Sequence, residues 1–259
     1  MHIYTLLAFT FILWVNFCKA SEHNPRTAQC QPLHIVFDQS ASPSFNSHFT
    51  AISPEGSYAL TDKGLEMNLY KPNGRVTTSA GVNDKIGDGA TINSTFTLSA
   101  GKVTFQVSSP TVSGVIVAGI LIGDTSLDEI DIEFVCGEPD SWQTNLFVAD
   151  PRDSRPEYGV FSSKQKVDSV TKLHSYSIDI NGEKITWSID NMIVKTLAKN
   201  ECTRNGFLHY PTHTMRVQLG IWDASSPAGT AEWGRGPVNW TGAPDKITAT
   251  VKSVTVECD

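Results

Sequence analysis

The chain has 259 residues, a length that suits one large all-β domain. It carries 20 basic against 27 acidic residues, a formal charge of −7. That balance argues against nucleic acid and anionic membranes as partners and leaves neutral polymers such as polysaccharides open.

At the N-terminus, residues 3–17 read IYTLLAFTFILWVNF, almost wholly apolar, and CKA follows with small residues at the −3 and −1 positions. This pattern predicts a secretory signal peptide over residues 1–20, cleaved after Ala20, with residues 21–259 as a single domain. The apolar run is shorter than the ~20 residues of a membrane-spanning helix, so no membrane association is expected after cleavage. Cleavage leaves 19 basic against 27 acidic residues, a formal charge of −8. The C-terminal VKSVTVECD lacks the hydrophobic tail of a GPI signal. A released protein, held to its surroundings only by what it binds, is the expectation.

Four cysteines remain after cleavage: Cys30, Cys136, Cys202 and Cys258. An even count in a secreted chain predicts two disulfides, for which three pairings exist, and Cys30 with Cys258 is the preferred pair because the two flank the ends of the domain. Zinc is the weaker alternative, since no C-x-x-C pair is present. Two sequons, NST at Asn93 and NWT at Asn239, are candidate glycosylation sites.

Period-two alternation then recurs along the chain. It appears in GLEMNLY at 64–70, TINSTFTL at 91–98 and GKVTFQVSS at 101–109. It returns in HSYSIDI at 174–180, KITWSID at 184–190, MRVQLGIW at 215–222 and KITATVKSVTVE at 246–257. Turn-forming residues punctuate these runs, and INGEK at 180–184 predicts a hairpin turn. Many strands with one apolar and one polar face predict a β-sandwich or barrel. GVIVAGILIG at 114–123 is apolar on both faces, as a central strand is.

The stretch DEIDIEF at 128–134 alternates Glu129, Asp131 and Glu133 with Ile130, Ile132 and Phe134. On a strand the three acids share one face and the apolar residues the other. At ~3.3 Å per residue the two glutamate Cα atoms lie roughly 13 Å apart. Side chains leaning together bring the carboxyl groups to about 5–6 Å, near the spacing of retaining glycosidases, and the wider inverting spacing also fits. Crowded like charges raise one pKa, which keeps a proton on an acid while its neighbour stays ionised. A solvated acidic edge and a calcium site are the competing readings of the same spacing.

The pattern Glu-x-Asp-x-Glu resembles the active-site strand of glycoside hydrolase family 16. WQTNLF at 142–147, HSYSIDINGEKITWSIDNMIVKTL at 174–197 and MRVQLGIWDASSPAGTAEWGRGPVNW at 215–240 resemble its fungal Crh subgroup of cell-wall chitin transglycosylases. The resemblance implies a concanavalin-like β-jelly-roll sandwich of two antiparallel sheets with a substrate groove. It also implies Glu129 as nucleophile, Glu133 as general acid/base and Asp131 as the auxiliary carboxylate between them. Gln143 and Asn145 match the polar pair of the QTN strand, and Trp222 and Trp233 match the groove tryptophans. Ile132, Phe134, Leu146 and Cys136 depart from residues common in the family, and none of these changes removes a catalytic carboxylate.

Other constellations weigh less. Trp142 and Trp240 lie near turn-rich segments, Trp187 reads as core, and Pro211 separates His209 from His213 in HYPTH, which read as loop or strand-edge residues rather than metal ligands. No serine-nucleophile or phosphate-loop motif is present. The combined expectation is a secreted, monomeric, retaining enzyme without metal or cofactor. It would cleave chitin-type or β-glucan cell-wall polysaccharide and transfer the glycosyl unit to a sugar acceptor. A plain β-1,3-glucan hydrolase and a non-catalytic wall-polysaccharide-binding protein are the alternatives.

Overall fold

The computed structural model describes residues 30–154 and 157–258; the expected signal peptide, residues 1–20, lies outside them. Two large antiparallel sheets dominate, one of eight strands and one of seven. The alternating runs become strands Gly64–Tyr70, Gly101–Ser108, His174–Ile180, Lys184–Ile189, Met215–Asp223 and Lys246–Glu257. The run at 91–98 stops as a strand at Ser94, whose hydroxyl donates to Phe96 O at 2.6 Å and turns the chain. Residues 181–183 join two paired strands, as the INGEK turn requires.

The seven-stranded sheet carries the acidic row. Its order is Ser163–Lys166, Ser141–Phe147, Glu129–Val135, Val115–Gly123, Met215–Asp223, Thr91–Ser94 and Phe49–Ala51. The strand that is apolar on both faces, Val115–Gly123, therefore holds the middle of the sheet. Inner faces of the two sheets supply the core: Ile130, Ile132, Phe134, Leu121, Val217 and Leu219 from one meet Phe105, Tyr176, Ile178, Ile185 and Trp187 from the other. Close approach is enforced at Gly119, where an added Cβ would stand only 3.2 Å from the Phe105 ring.

Helical structure is slight, as the alternation implies: Ser42–His48 and Ala228–Trp233 are the α-helices among the described residues. The first begins with Pro43 in its opening turn, a favoured place for proline. It buries Phe45 against Phe37, Phe49 and Tyr58.

The disulfide expectation needs correction. Cys30 and Cys258 are joined, with Cα atoms 5.6 Å apart, and clasp the two ends of the described chain. Cys136 and Cys202 are instead free, buried thiols. Cys136 follows Val135 at one end of the acidic strand. Cys202 accepts from the backbone of His209, whose ring bonds Val148 O beside Phe147, the partner of Glu129 at the other end. The seven residues of that strand separate the two cysteines by roughly 20 Å at ~3.3 Å per residue, far beyond disulfide reach. Each thiol is satisfied locally, Cys136 beside Ser109 Oγ at 3.3 Å and Cys202 on Ala198 O at 3.4 Å.

Candidate active site

The strand Glu129–Val135 runs between two partners without a bulge, so its parity is preserved along its length. Ile130, Ile132 and Phe134 go to the core and the three acids to the outer face. Register then builds the surroundings. Glu129 stands between Phe147 and Ile122, Asp131 between Asn145 and Ile120, and Glu133 between Gln143 and Ala118.

The acids sit in unlike environments. Asp131 is only 3 % exposed. Its burial, and then the negative charges of Glu129 and Glu133 on either side, push its carboxyl well above the ordinary range. Burial also raises Glu129, opposed by a hydrogen bond to Asp131. Two carboxyl groups can share a hydrogen bond only if one keeps its proton. Asp131, buried between two like charges, is the group that keeps it, and it thereby donates to Glu129 and leaves Glu129 the anion. Glu133 is raised to about 7, first by burial and then by the charge of Glu129. The row therefore combines an ionised carboxylate with a protonated one four residues away.

The substrate-binding residues expected from sequence converge on this face. Gln143 is tied at its Oε1 by Trp233 Nε1 at 3.1 Å. Asn145 donates through Nδ2 to Tyr158 O at 2.9 Å, while its Oδ1 and Asp131 Oδ1 are buried atoms without a partner. Trp222 is 36 % exposed and stacks on Trp233 with ring centroids 6.0 Å apart. Trp222 pairs with Ile116, which pairs with Val135, so both tryptophans stand beyond Glu133. At the opposite end Phe147 stacks on Tyr158 at 4.4 Å beside Glu129. Aromatic rings thus bound the acidic row at both ends.

The remaining residues find structural places. Trp142 and Trp187 are buried in the core, and buried Trp240 donates to Asp223 Oδ2 at 3.0 Å. His209 bonds Val148 O at 2.6 Å and His213 bonds Asp128 at 3.1 Å, each at a separate place. Asn239 is exposed in a turn, whereas Asn93 lies on the outer face of the acidic sheet and accepts from Gln218 at 2.7 Å.

Sequence reading missed Gln218, Phe147 and Tyr158 as neighbours of the site. The signal for Gln218 was present: in MRVQLGIW it shares the parity of Trp222, so any face holding one holds the other. Tyr158 comes from a loop, where alternation says nothing.

Comparison with known proteins agrees with this geometry. The Crh-like protein 5 of Aspergillus fumigatus is 30% identical over 262 residues, covering 98% of this chain and 60% of that protein. The Crh-like protein CRH11 of Candida albicans is 26% identical over 261 residues, covering 96% of this chain and 51% of that protein. The chain thus spans between half and two thirds of the length of these relatives. Among solved structures, a Crh5 transglycosylase in complex with NAG superposes with a TM-score of 0.72 at 26% identity, over 91% of this chain and 88% of that one. The family model of glycosyl hydrolases family 16 matches residues 18–242. The chain belongs to glycosyl hydrolases family 16.

Proposed function

We propose that this protein is a retaining glycosidase and transglycosylase of cell-wall polysaccharide, cutting a chitin-type or β-glucan chain and passing the cut end to a sugar acceptor. The observation that carries the reading is the placement of Glu129, Asp131 and Glu133 on the outer face of one strand, where burial raises all three carboxyls and brings Glu133 to about 7. Glu129 attacks the anomeric carbon as the glycosidic bond breaks, and Glu133 gives its proton to the departing oxygen. A glycosyl ester on Glu129 results. Glu133, now a carboxylate, takes the proton from an incoming hydroxyl, which attacks the same carbon and frees Glu129.

Water or a sugar hydroxyl serves equally in the second step, so the choice falls to whatever holds an acceptor near Glu133. The stacked pair Trp222 and Trp233 is the surface suited to that task, since aromatic faces match the apolar faces of sugar rings. A relative bearing the name transglycosylase supports transfer over plain hydrolysis. Secretion to the cell wall, a monomeric state and a glycan on exposed Asn239 complete the proposal.

Incubating the protein with chitin oligomers and a labelled glucan acceptor tests it. Labelled hybrid product is the expected result. Shortened glucan alone indicates a hydrolase, and retention on the polymer without products indicates a binding protein.

A further inference from the structure

The helix Ala228–Trp233 ends in a tight reversal, in which Arg235 N donates to Glu232 O at 3.2 Å and Gly236 N to Ala231 O at 2.8 Å. This pair of bonds requires left-handed backbone at residue 235, a place that glycine usually fills. Arginine fills it here, with φ +59°, although glycine stands on either side in WGRG. A residue kept in unfavourable backbone directs attention to what its side chain does.

The Arg235 side chain reaches Glu138, on the loop that follows the acidic strand. Its Nε and Nη2 both donate to Glu138 Oε1 at 2.8 Å. Glu138 Oε2 accepts from Lys164 Nζ at 2.7 Å and from Ser141 Oγ at 3.2 Å. Single exposed ion pairs contribute little, but the side chain of Glu138 is only 13 % exposed and holds two cations and a hydroxyl at once. Gly137 lets the segments close, since a Cβ there would stand 2.7 Å from the Arg235 Cβ.

Glu138 thus joins three elements, each beside an expected sugar-binding residue. Ser141 lies two residues before Gln143, Lys164 faces Gln143 across the strand pair, and Arg235 lies two residues after Trp233. Trp233 Nε1 in turn bonds Gln143 Oε1, and its ring stacks on Trp222. The links close into a ring that runs from Glu138 to Arg235, along the chain to Trp233, across to Gln143 and along the chain to Ser141, which returns to Glu138. Glu133, opposite Gln143 in register, borders that ring.

We propose that Glu138, acting through Arg235, is a positioning residue for the acceptor: it holds Trp233, and the stack with Trp222, at the Glu133 end of the acidic row. The inference rests on the transfer function proposed above and deepens it by naming what keeps the acceptor surface in place.

The test uses Arg235→Gly and Glu138→Gln. Arg235→Gly supplies the residue this backbone favours while deleting the guanidinium, so its melting temperature should stay within a few degrees of wild type. Glu138→Gln keeps the shape and removes the charge. Two readouts are taken: the apparent KM for a labelled glucan acceptor, and the exciton couplet of the stacked indoles in far-ultraviolet circular dichroism. In both variants the couplet should weaken and the acceptor KM rise roughly fivefold, the scale of one lost stacking contact, with kcat within about twofold. An unchanged couplet or a wild-type acceptor KM in either folded variant overturns the inference. A kcat that falls as much as KM rises, or a collapse of the Arg235→Gly melting temperature, makes the latch merely structural and overturns it too. Failure of the proposed function is distinct: the unaltered protein then forms no transfer product, and the couplet alone decides whether Glu138 places Trp233.

Discussion

The indole nitrogen of Trp187 donates a 3.0 Å hydrogen bond to the main-chain carbonyl of Asp131, from the inner face of one sheet to the middle of the acidic strand in the other. Both partners are buried, and the Lys195 ammonium lies over the Trp187 ring at 4.9 Å. The bond fixes the height of the strand that carries all three acids. Replacing Trp187 with Phe keeps most of the ring and removes the donor. The expected cost is about 1–3 kcal/mol of stability from the lost hydrogen bond and the smaller ring, read by denaturant unfolding. In the folded variant kcat should fall more than KM rises, because the acids rather than the binding surface lose their support. An unchanged kcat in a destabilised protein would make Trp187 a packing residue alone.

Activity should follow a bell-shaped pH profile on the acidic side of neutrality. The lower limb reports ionisation of Glu129, raised by burial. The upper limb of kcat/KM reports loss of the Glu133 proton, with a midpoint about 7. Because the groups interact, both limbs are properties of the set of carboxyls. A rate still rising above neutral pH would contradict the two-carboxylate mechanism.

The same proton has a consequence for stability. Glu133 titrates near 4.5 when unfolded and at about 7 when folded. Between those values the folded state holds a proton that the unfolded state has lost, so stability falls as pH rises through that window and levels off above it. Glu133→Gln removes the penalty. Its gain over wild type should be near zero below pH ~4 and grow to an upper limit of about 3 kcal/mol above pH ~7. Thermal melting of the pair across pH 4 to 8, on the order of these limits, checks the sign; a gain largest at low pH would refute it.

Trp222 and Trp233 should govern the fate of the glycosyl ester rather than its formation. Trp222→Ala removes an exposed ring worth on the order of 1 kcal/mol to a stacked sugar, and the ratio of transfer product to hydrolysis product should fall several-fold at fixed acceptor concentration. Trp233→Ala should cost more, since it also releases Gln143. A ratio that stays constant while the melting temperature drops would place the acceptor elsewhere.

How much of this was legible in the sequence follows from what alternation encodes. Parity along DEIDIEF specifies which residues face outward, and the structure keeps that parity because no bulge interrupts the strand. The absence of alternation along GVIVAGILIG marks the centre of the sheet. Register between strands is not encoded in any one of them, so the adjacency of Asp131, Ile120 and Gln218 emerges only when distant segments pair. The cysteine count suggested two bridges, but a bridge needs two Cβ atoms within a few ångströms, and the acidic strand keeps Cys136 and Cys202 at its opposite ends. The strand Met192–Ala198 and the helix Ser42–His48 lacked a clean period because each lies where one face is only partly covered.

Glu129→Gln is nearly isosteric and abolishes only the nucleophile, so its turnover tests the central claim most directly. With chito-oligosaccharide donor and labelled glucan acceptor, the variant is expected to retain its melting temperature and its oligosaccharide binding while the rate of product formation falls by about three orders of magnitude or more. Turnover at the wild-type rate by a folded Glu129→Gln protein would contradict the assignment of this strand as the catalytic one.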